Sequence, residues 1–127
     1  MSNLSADLVG LVVEDEWLLR LELVDELKRE GWSVLEASSG EEALEFLEKG
    51  DRIDFLITDI RLSGTVDGWD VAERWRARAP SLPVIYVSAN PSVELRRVKD
   101  SVFLGKPVYM HVLIDICRSM NRAAALK

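Results

Sequence analysis

Four apolar stretches of this sequence run straight into residues that carry charge or bind anions. VGLVV is followed by Glu14 and Asp15, FLIT by Asp59, VIYV by Ser88, and VFLG by Lys106. Carboxylates crowded together raise one another's pKa and repel. A hard divalent cation relieves that conflict, and Mg2+ suits such a set because it takes a few carboxylate oxygens and completes its octahedron with water. A serine hydroxyl can hydrogen-bond an anion. A lysine ammonium is a flexible point charge, suited to holding a phosphoryl group or neutralising a carboxylate. A carboxylate can itself attack phosphorus and form an acyl phosphate. These residues are far apart along the chain, so the chemistry exists only if the fold gathers them.

The elements that would gather them are legible in the pattern of apolar residues. Residues 9–13 form a short β-branched run without alternation, as expected of a strand covered on both faces. Over residues 16–30, Leu19, Leu23, Val24 and Leu27 recur at helical spacing, and Gly31 follows as a C-terminal stop. The same alternation predicts a strand over 33–37, a helix over 40–48 with Ala43, Leu44 and Leu47 inward, and a strand over 53–58. A helix over 69–78, a strand over 83–87, a short strand over 102–104 and a closing helix over 108–124 complete it. Strands alternating with helices imply parallel crossovers, and right-handed crossovers put helices on both faces of the sheet. Residues 90–101, NPSVELRRVKDS, offer only Val93, Leu95 and Val98 as apolar positions and read as a short or irregular turn of helix. In open sheets of this class the ligand site lies beyond the carboxyl ends of the strands. If the first and third strands are neighbours, the three acids meet there.

The stretches VVEDE (12–16), LITDIRL (56–62), VIYVSA (84–89) and FLGKP (103–107) make the chain resemble the receiver domain of two-component response regulators over nearly its whole length. The resemblance implies a flavodoxin-like α/β fold. Its five-stranded parallel sheet is open, in order 2-1-3-4-5, with helices on both faces and the fourth helix here short or irregular. It implies that Asp59 is the phospho-acceptor and that Glu14 and Asp15 are the acidic pair holding Mg2+. Asp15 would ligate directly and Glu14 mainly through water, with Asp59 and the backbone carbonyl of Arg61 completing the protein's share. Ser88 and Lys106 would contact the phosphoryl oxygens, Ser88 and Phe103 would form the switch, and the bond before Pro107 would be cis. Arg61 and Asn90 occupy the positions that tune phosphoryl lifetime in the family. The residues suit this chemistry without the name, because phosphoryl transfer passes through a loose, charge-spread transition state that needs positioning and cations more than a general base.

The chain departs from the family pattern in three places. The loop DIRLSGTVDG (59–68) has Ser63 where the family often has proline, and is one residue longer than the commonest form. The interval from Ser88 to Lys106 is several residues shorter than usual, a deficit that falls on the fourth helix. Phe103 has no hydroxyl at a position where the family uses a tyrosine-type switch.

Each signal also has a plainer reading. Asp15 alone could be the N-cap of the first helix, and Asp59, Ser88 or Lys106 alone would be surface polar residues; their joint arrival at successive strand ends carries the argument. Trp17, Leu18 and Leu21 widen the apolar arc of the first helix, which reads first as a broad buried face and second as a docking patch for a kinase or phosphotransfer helix. Trp69 and Trp75 lie six residues apart, so at least one is expected at a rim or exposed. Arg74, Arg76 and Arg78 read as a solvated helix face, and only second as a contact for an acidic partner.

With 127 residues, 48% hydrophobic and 30% charged, the chain has the size and make-up of one soluble domain, so residues 1–127 are expected to be a single stand-alone receiver. No apolar stretch approaches the ~20 residues of a membrane span. The start, MSNLSADLVG, lacks the basic and apolar regions of a secretion signal, so a cytoplasmic location is expected. A net charge of -6 argues against nucleic acid and anionic lipid as partners. Cys117 and His111 are the only residues of their types, which excludes an internal disulfide and a Cys/His zinc site. The expected function is a phosphorylatable signalling protein rather than an enzyme turning over small substrates. It would take a phosphoryl group from a histidine kinase or histidine phosphotransfer protein and act on a downstream protein target. Two alternatives stand beside it. One is a receiver-like module that signals by docking without phosphorylation. The other is a Mg2+-dependent phosphohydrolase of the haloacid dehalogenase type, which places a second acid two residues after the first, where this chain has Arg61.

Overall fold

Parallel pairing brings the carboxyl ends of all strands to one edge, and that is the plan of the computed structural model, which describes residues 8–89 and 96–126. The strands β1 (Val9–Val13), β2 (Ser33–Ala37), β3 (Phe55–Asp59), β4 (Val84–Ser88) and β5 (Val102–Gly105) form one sheet in the order β2-β1-β3-β4-β5. The helices are α1 (Trp17–Arg29), α2 (Gly40–Glu48), α3 (Gly68–Arg78) and α4 (Met110–Ala125). Every strand pair is parallel. Among the described residues no helix is long and apolar enough to cross a membrane.

The elements start and stop for local reasons. Gly31 ends α1 with φ 87° and donates its N–H to the Lys28 carbonyl at 3.0 Å, a left-handed turn that glycine makes at least cost. Ser39 caps α2 by accepting the Glu42 N–H at 3.1 Å. Asp67 and Asp70 exchange side-chain and backbone bonds at 2.9 and 3.0 Å, a capping box that opens α3. The third strand begins at Phe55, two residues later than the apolar run suggests. Asp54 instead turns its carboxylate onto the Val9 N–H at 2.8 Å. Pro83 lacks an N–H, so β4 starts at Val84, while the Pro83 carbonyl still accepts the Leu56 N–H at 2.9 Å. The closing helix begins at Met110 rather than 108, after the Pro107 turn.

Helices cover both faces of the sheet. On one, Ala43, Leu44 and Leu47 of α2 and Val71, Ala72 and Trp75 of α3 pack against Leu11, Leu56, Val84 and Tyr86. On the other, Leu23, Val24 and Leu27 of α1 and Leu113, Ile114 and Cys117 of α4 pack against Val12, Ile57, Ile85 and Val87. Between β4 and β5 the described residues 96–101 contain no helix; Asn90, Val93 and Leu95 lie outside the described residues. This segment is tied down by side chains instead. The Tyr86 hydroxyl accepts the Val98 N–H at 3.0 Å, and Arg76 donates to the Lys99 carbonyl at 2.5 Å. Arg96 is clasped by Asp70 at 2.8 Å and Glu73 at 2.7 Å.

Three expectations need correction. Both Trp69 and Trp75 are buried, because α3 is enclosed on two sides: Trp69 packs against Tyr86 with ring centroids 4.7 Å apart and the rings tilted by 54°, and Trp75 reaches α2, donating Nε1–H to the Ala43 carbonyl at 3.2 Å. Arg76 and Arg78 are not simply solvated. Arg76 also donates to the Leu82 carbonyl at 2.7 Å, and Arg78 forks onto the Leu47 carbonyl at 2.9 and 2.8 Å, adding to the Gly50 N–H that this carbonyl accepts at the end of α2. Trp17, Leu18 and Leu21 are exposed, at 65%, 50% and 46%, since the stripe of α1 that meets the sheet is Leu23, Val24 and Leu27 with Leu19 at its edge. Trp75→Phe removes one buried hydrogen bond and part of a filled volume, and should cost about 2 kcal/mol of stability. Urea unfolding measures this; an unchanged midpoint would contradict the packing described.

Candidate functional site

Register decides which side chains meet. Val13 pairs with Thr58, so the residues that follow them, Glu14 and Asp59, lie side by side at the edge. Asp59 pairs with Val87, and Ser88 with Gly105, which brings Ser88 and the next residue, Lys106, to the same rim. Glu14, Asp15 and Asp59 each present a carboxylate oxygen within 4.8 Å of the others'. Asp15 is exposed, whereas Glu14 and Asp59 are buried. An open cleft of about 160 Å³ is lined by Asp59, Arg61, Ser88, Ala89 and Lys106.

Two buried carboxylates need compensation, and Lys106 supplies it. Its ammonium stands 2.7 Å from Asp59 Oδ2 and 3.1 Å from Glu14 Oε1. Burial works against the ammonium, but hydrogen bonding and the charge of Asp59, with Glu14 behind it, outweigh that and hold the Lys106 pKa above its ordinary value. The Arg61 N–H donates to Asp59 Oδ1 at 3.2 Å. For Glu14 desolvation dominates. Burial, reinforced by the charge of Asp59, lifts its pKa from an ordinary 4.5 to about 7, against the lowering effect of the Glu16 N–H and of Lys106. The bond between Lys106 and Pro107 is cis.

The loop after Asp59 is closed at both ends. The Gly68 N–H donates to the Ile60 carbonyl at 2.8 Å, and a Cβ at position 68 would fall 1.9 Å from the Asp59 carbonyl oxygen, so only glycine lets α3 start this close to β3. At the loop's tip, the Glu41 carboxylate of α2 accepts from the N–H and hydroxyl of Thr65 at 3.0 and 3.2 Å.

Glu14 uses every polar group it has. Its N–H donates to the Ala37 carbonyl at 3.0 Å, its carboxylate accepts the Glu16 N–H at 3.0 Å, and its carbonyl accepts from Arg20 Nη1 at 2.7 Å. The N-cap of α1 is Glu16, which makes no side-chain capping bond, so Asp15 does not cap the helix.

All the acids and the lysine singled out from the sequence, together with Ser88, thus lie at one edge. Phe103 lies one strand over, paired with Tyr86 and half-buried against the core. Arg20 and Tyr86 were not singled out. Nothing about a lone arginine in a first helical turn, or a tyrosine within an apolar run, marks either as reaching a distant backbone group. Three oxygen-bearing carboxylates converging from two strand ends form the hard donor set that a divalent cation requires, with room left for water at the exposed side of Asp15.

This architecture is that of an open doubly wound α/β domain with an acidic cluster at its carboxyl edge. The family model of the response regulator receiver domain matches residues 11–118. The chain belongs to that family. Among curated relatives it is 38% identical over 117 residues to the transcriptional regulatory protein AfsQ1 of Streptomyces coelicolor, covering 88% of this chain and 50% of that one. It is 35% identical over 112 residues to the sensor histidine kinase RcsC of Escherichia coli, covering 84% of this chain and 12% of that one. The chain therefore spans half or less of the length of these two relatives. A response regulator receiver protein from Sinorhizobium medicae superposes with a TM-score of 0.89 at 34% identity, covering 93% of this chain and 97% of that one. The chain is a receiver domain of two-component signalling.

The raised pKa of Glu14 has a definite sign. Its favourable contribution to stability is complete below pH 4.5 and is lost as pH rises to about 7. With a chelator present, the urea midpoint of the parent should fall more steeply between pH 5 and 8 than that of Glu14→Gln. Parallel profiles would refute the assignment.

Proposed function

We propose that Asp59 accepts a phosphoryl group from a phosphohistidine donor. The observation that carries this reading is the convergence of the Glu14, Asp15 and Asp59 oxygens within 4.8 Å, with the Lys106 ammonium 2.7 Å from Asp59 and an open cleft in front of them. A carboxylate oxygen of Asp59 forms the new bond to phosphorus, the bond from phosphorus to the donor imidazole breaks, and the electron pair leaves on that nitrogen. The protein's task is to place the acceptor and to meet the negative charge on the transferring oxygens.

Glu14, Asp15, Asp59 and the backbone carbonyl of Arg61 are the groups that would hold Mg2+. When bound, the ion neutralises the carboxylates and offers positive charge to the phosphoryl oxygens. Lys106, already on Asp59, contacts a phosphoryl oxygen from the β5 side, and the Ser88 hydroxyl reaches one from β4. Added negative charge beside Lys106 and Ser88 biases a two-state arrangement in which Ser88 moves inward and Phe103 repacks. Phe103 has no hydroxyl to spend. Trp17, Leu18 and Leu21 follow directly on the acidic pair along α1, and their exposure supports docking of a kinase or phosphotransfer helix beside the acceptor. Output runs through contacts with a downstream protein, and the names of the relatives, a sensor kinase and a transcriptional regulator, suit such a pathway.

The test is intact-mass measurement after incubation with a small phosphodonor and Mg2+. The parent should gain one phosphoryl group and Asp59→Asn none. A parent that gains nothing, or a variant that gains as much as the parent, would sink the proposal. Sustained phosphate release from a generic phosphomonoester would point instead to a hydrolase.

A further inference from the structure

We infer that Arg20 is a positioning residue for the cation site, acting through the backbone of Glu14 rather than on the ion. The inference rests on the reading that the acidic cluster takes a divalent cation, and adds a residue to it.

Asp15 is the member of the cluster whose placement is otherwise least secured. It is exposed, and among the described residues no hydrogen bond or ion pair holds its carboxylate. Its position is set by the backbone under it, that is, by the peptide plane joining Glu14 to Asp15. That plane begins where the ladder to β2 gives out. The Glu14 N–H still makes a bond to the Ala37 carbonyl at 3.0 Å, but the Glu14 carbonyl has no strand partner and is taken by Arg20 Nη1 at 2.7 Å.

Arg20 is itself braced. Its Nε lies 3.3 Å from Glu36 Oε1 on β2, and its side chain is only 20% exposed. Its own N–H makes a helical bond to the Glu16 carbonyl at 3.0 Å, locking it to the first turn of α1. One guanidinium therefore ties the β1 to α1 turn to both the helix and the neighbouring strand. A planar fork of donors suits this task, because it can serve two acceptors in fixed directions at once.

Electrostatics and positioning make opposite forecasts, which gives the inference its edge. A guanidinium near a divalent cation repels it, so if charge alone mattered, removing Arg20 would tighten binding. If Arg20 fixes the turn, removing it loosens Asp15 and weakens binding. Groups that orient metal ligands from behind typically account for 10- to 100-fold in affinity.

The experiment is a Mg2+ titration of the whole chain by calorimetry, with tryptophan fluorescence as a second readout, for the parent, Arg20→Lys and Arg20→Met. Urea midpoints in chelator are measured alongside. The expected order is parent tightest, lysine intermediate because an ammonium can still donate to the Glu14 carbonyl, and methionine weaker than the parent by about tenfold. Methionine binding as tightly as the parent, or more tightly, overturns the inference, whatever happens to the urea midpoint. Should Arg20→Met fail to fold, Arg20→Lys against the parent decides by the same criterion. A parent chain that binds no Mg2+ overturns the proposed cation site itself, and this inference with it, a result distinct from parent-like binding by a variant.

Discussion

Everything at the carboxyl edge depends on one ammonium lying between two buried carboxylates. Removing Asp59 and Glu14 from water is costly, and their mutual repulsion adds to the cost. Lys106, at 2.7 and 3.1 Å, offsets part of both, less completely at Glu14 than burial demands, yet it arrives from the far side of the sheet, 47 residues from Asp59 along the chain. The compensation is therefore a property of the sheet: it requires β1, β3, β4 and β5 to be neighbours in register. A slip by one residue would turn Lys106 and Asp59 to opposite faces. The site and the strand order are in this sense a single specification.

The helices contribute differently on the two faces. On one, α2 and α3 close over the loop that follows Asp59, through Glu41 at its tip and the capping box at its end. On the other, α1 holds the acidic turn through Arg20 and presents Trp17, Leu18 and Leu21 outward. One face thus shapes the rim of the cleft, while the other fixes the acids and faces whatever approaches them.

Most of the fold was legible because parallel strands buried on both sides are written as continuous apolar runs and helices as three-and-four spacing. The strand ends that carry Glu14, Asp59 and Ser88 followed from that alone. What was illegible depends on partners that no local pattern encodes. Trp69 and Trp75 both disappear from solvent because α3 is wedged between sheet and α2, a fact of tertiary packing. Arg76 and Arg78 carry the signature of a solvated face and yet end on backbone carbonyls, since a long side chain can bury its stem and deliver its donors at a distance. The same reach hid Arg20. Conversely, the exposed arc of α1 has the composition of a core helix, and only the narrow stripe it sets against the sheet shows otherwise.

The loop from Ile60 to Asp67 is pinned so that its freedom is confined to one place. Its two ends are joined by the Gly68 bond to Ile60, and position 68 admits no side chain against the Asp59 carbonyl. Between those ends the chain turns at Gly64, whose φ is 91°, and Glu41 receives it at Thr65. The doorway of the cleft is thus free to change shape between fixed posts without shifting the carboxylate behind it.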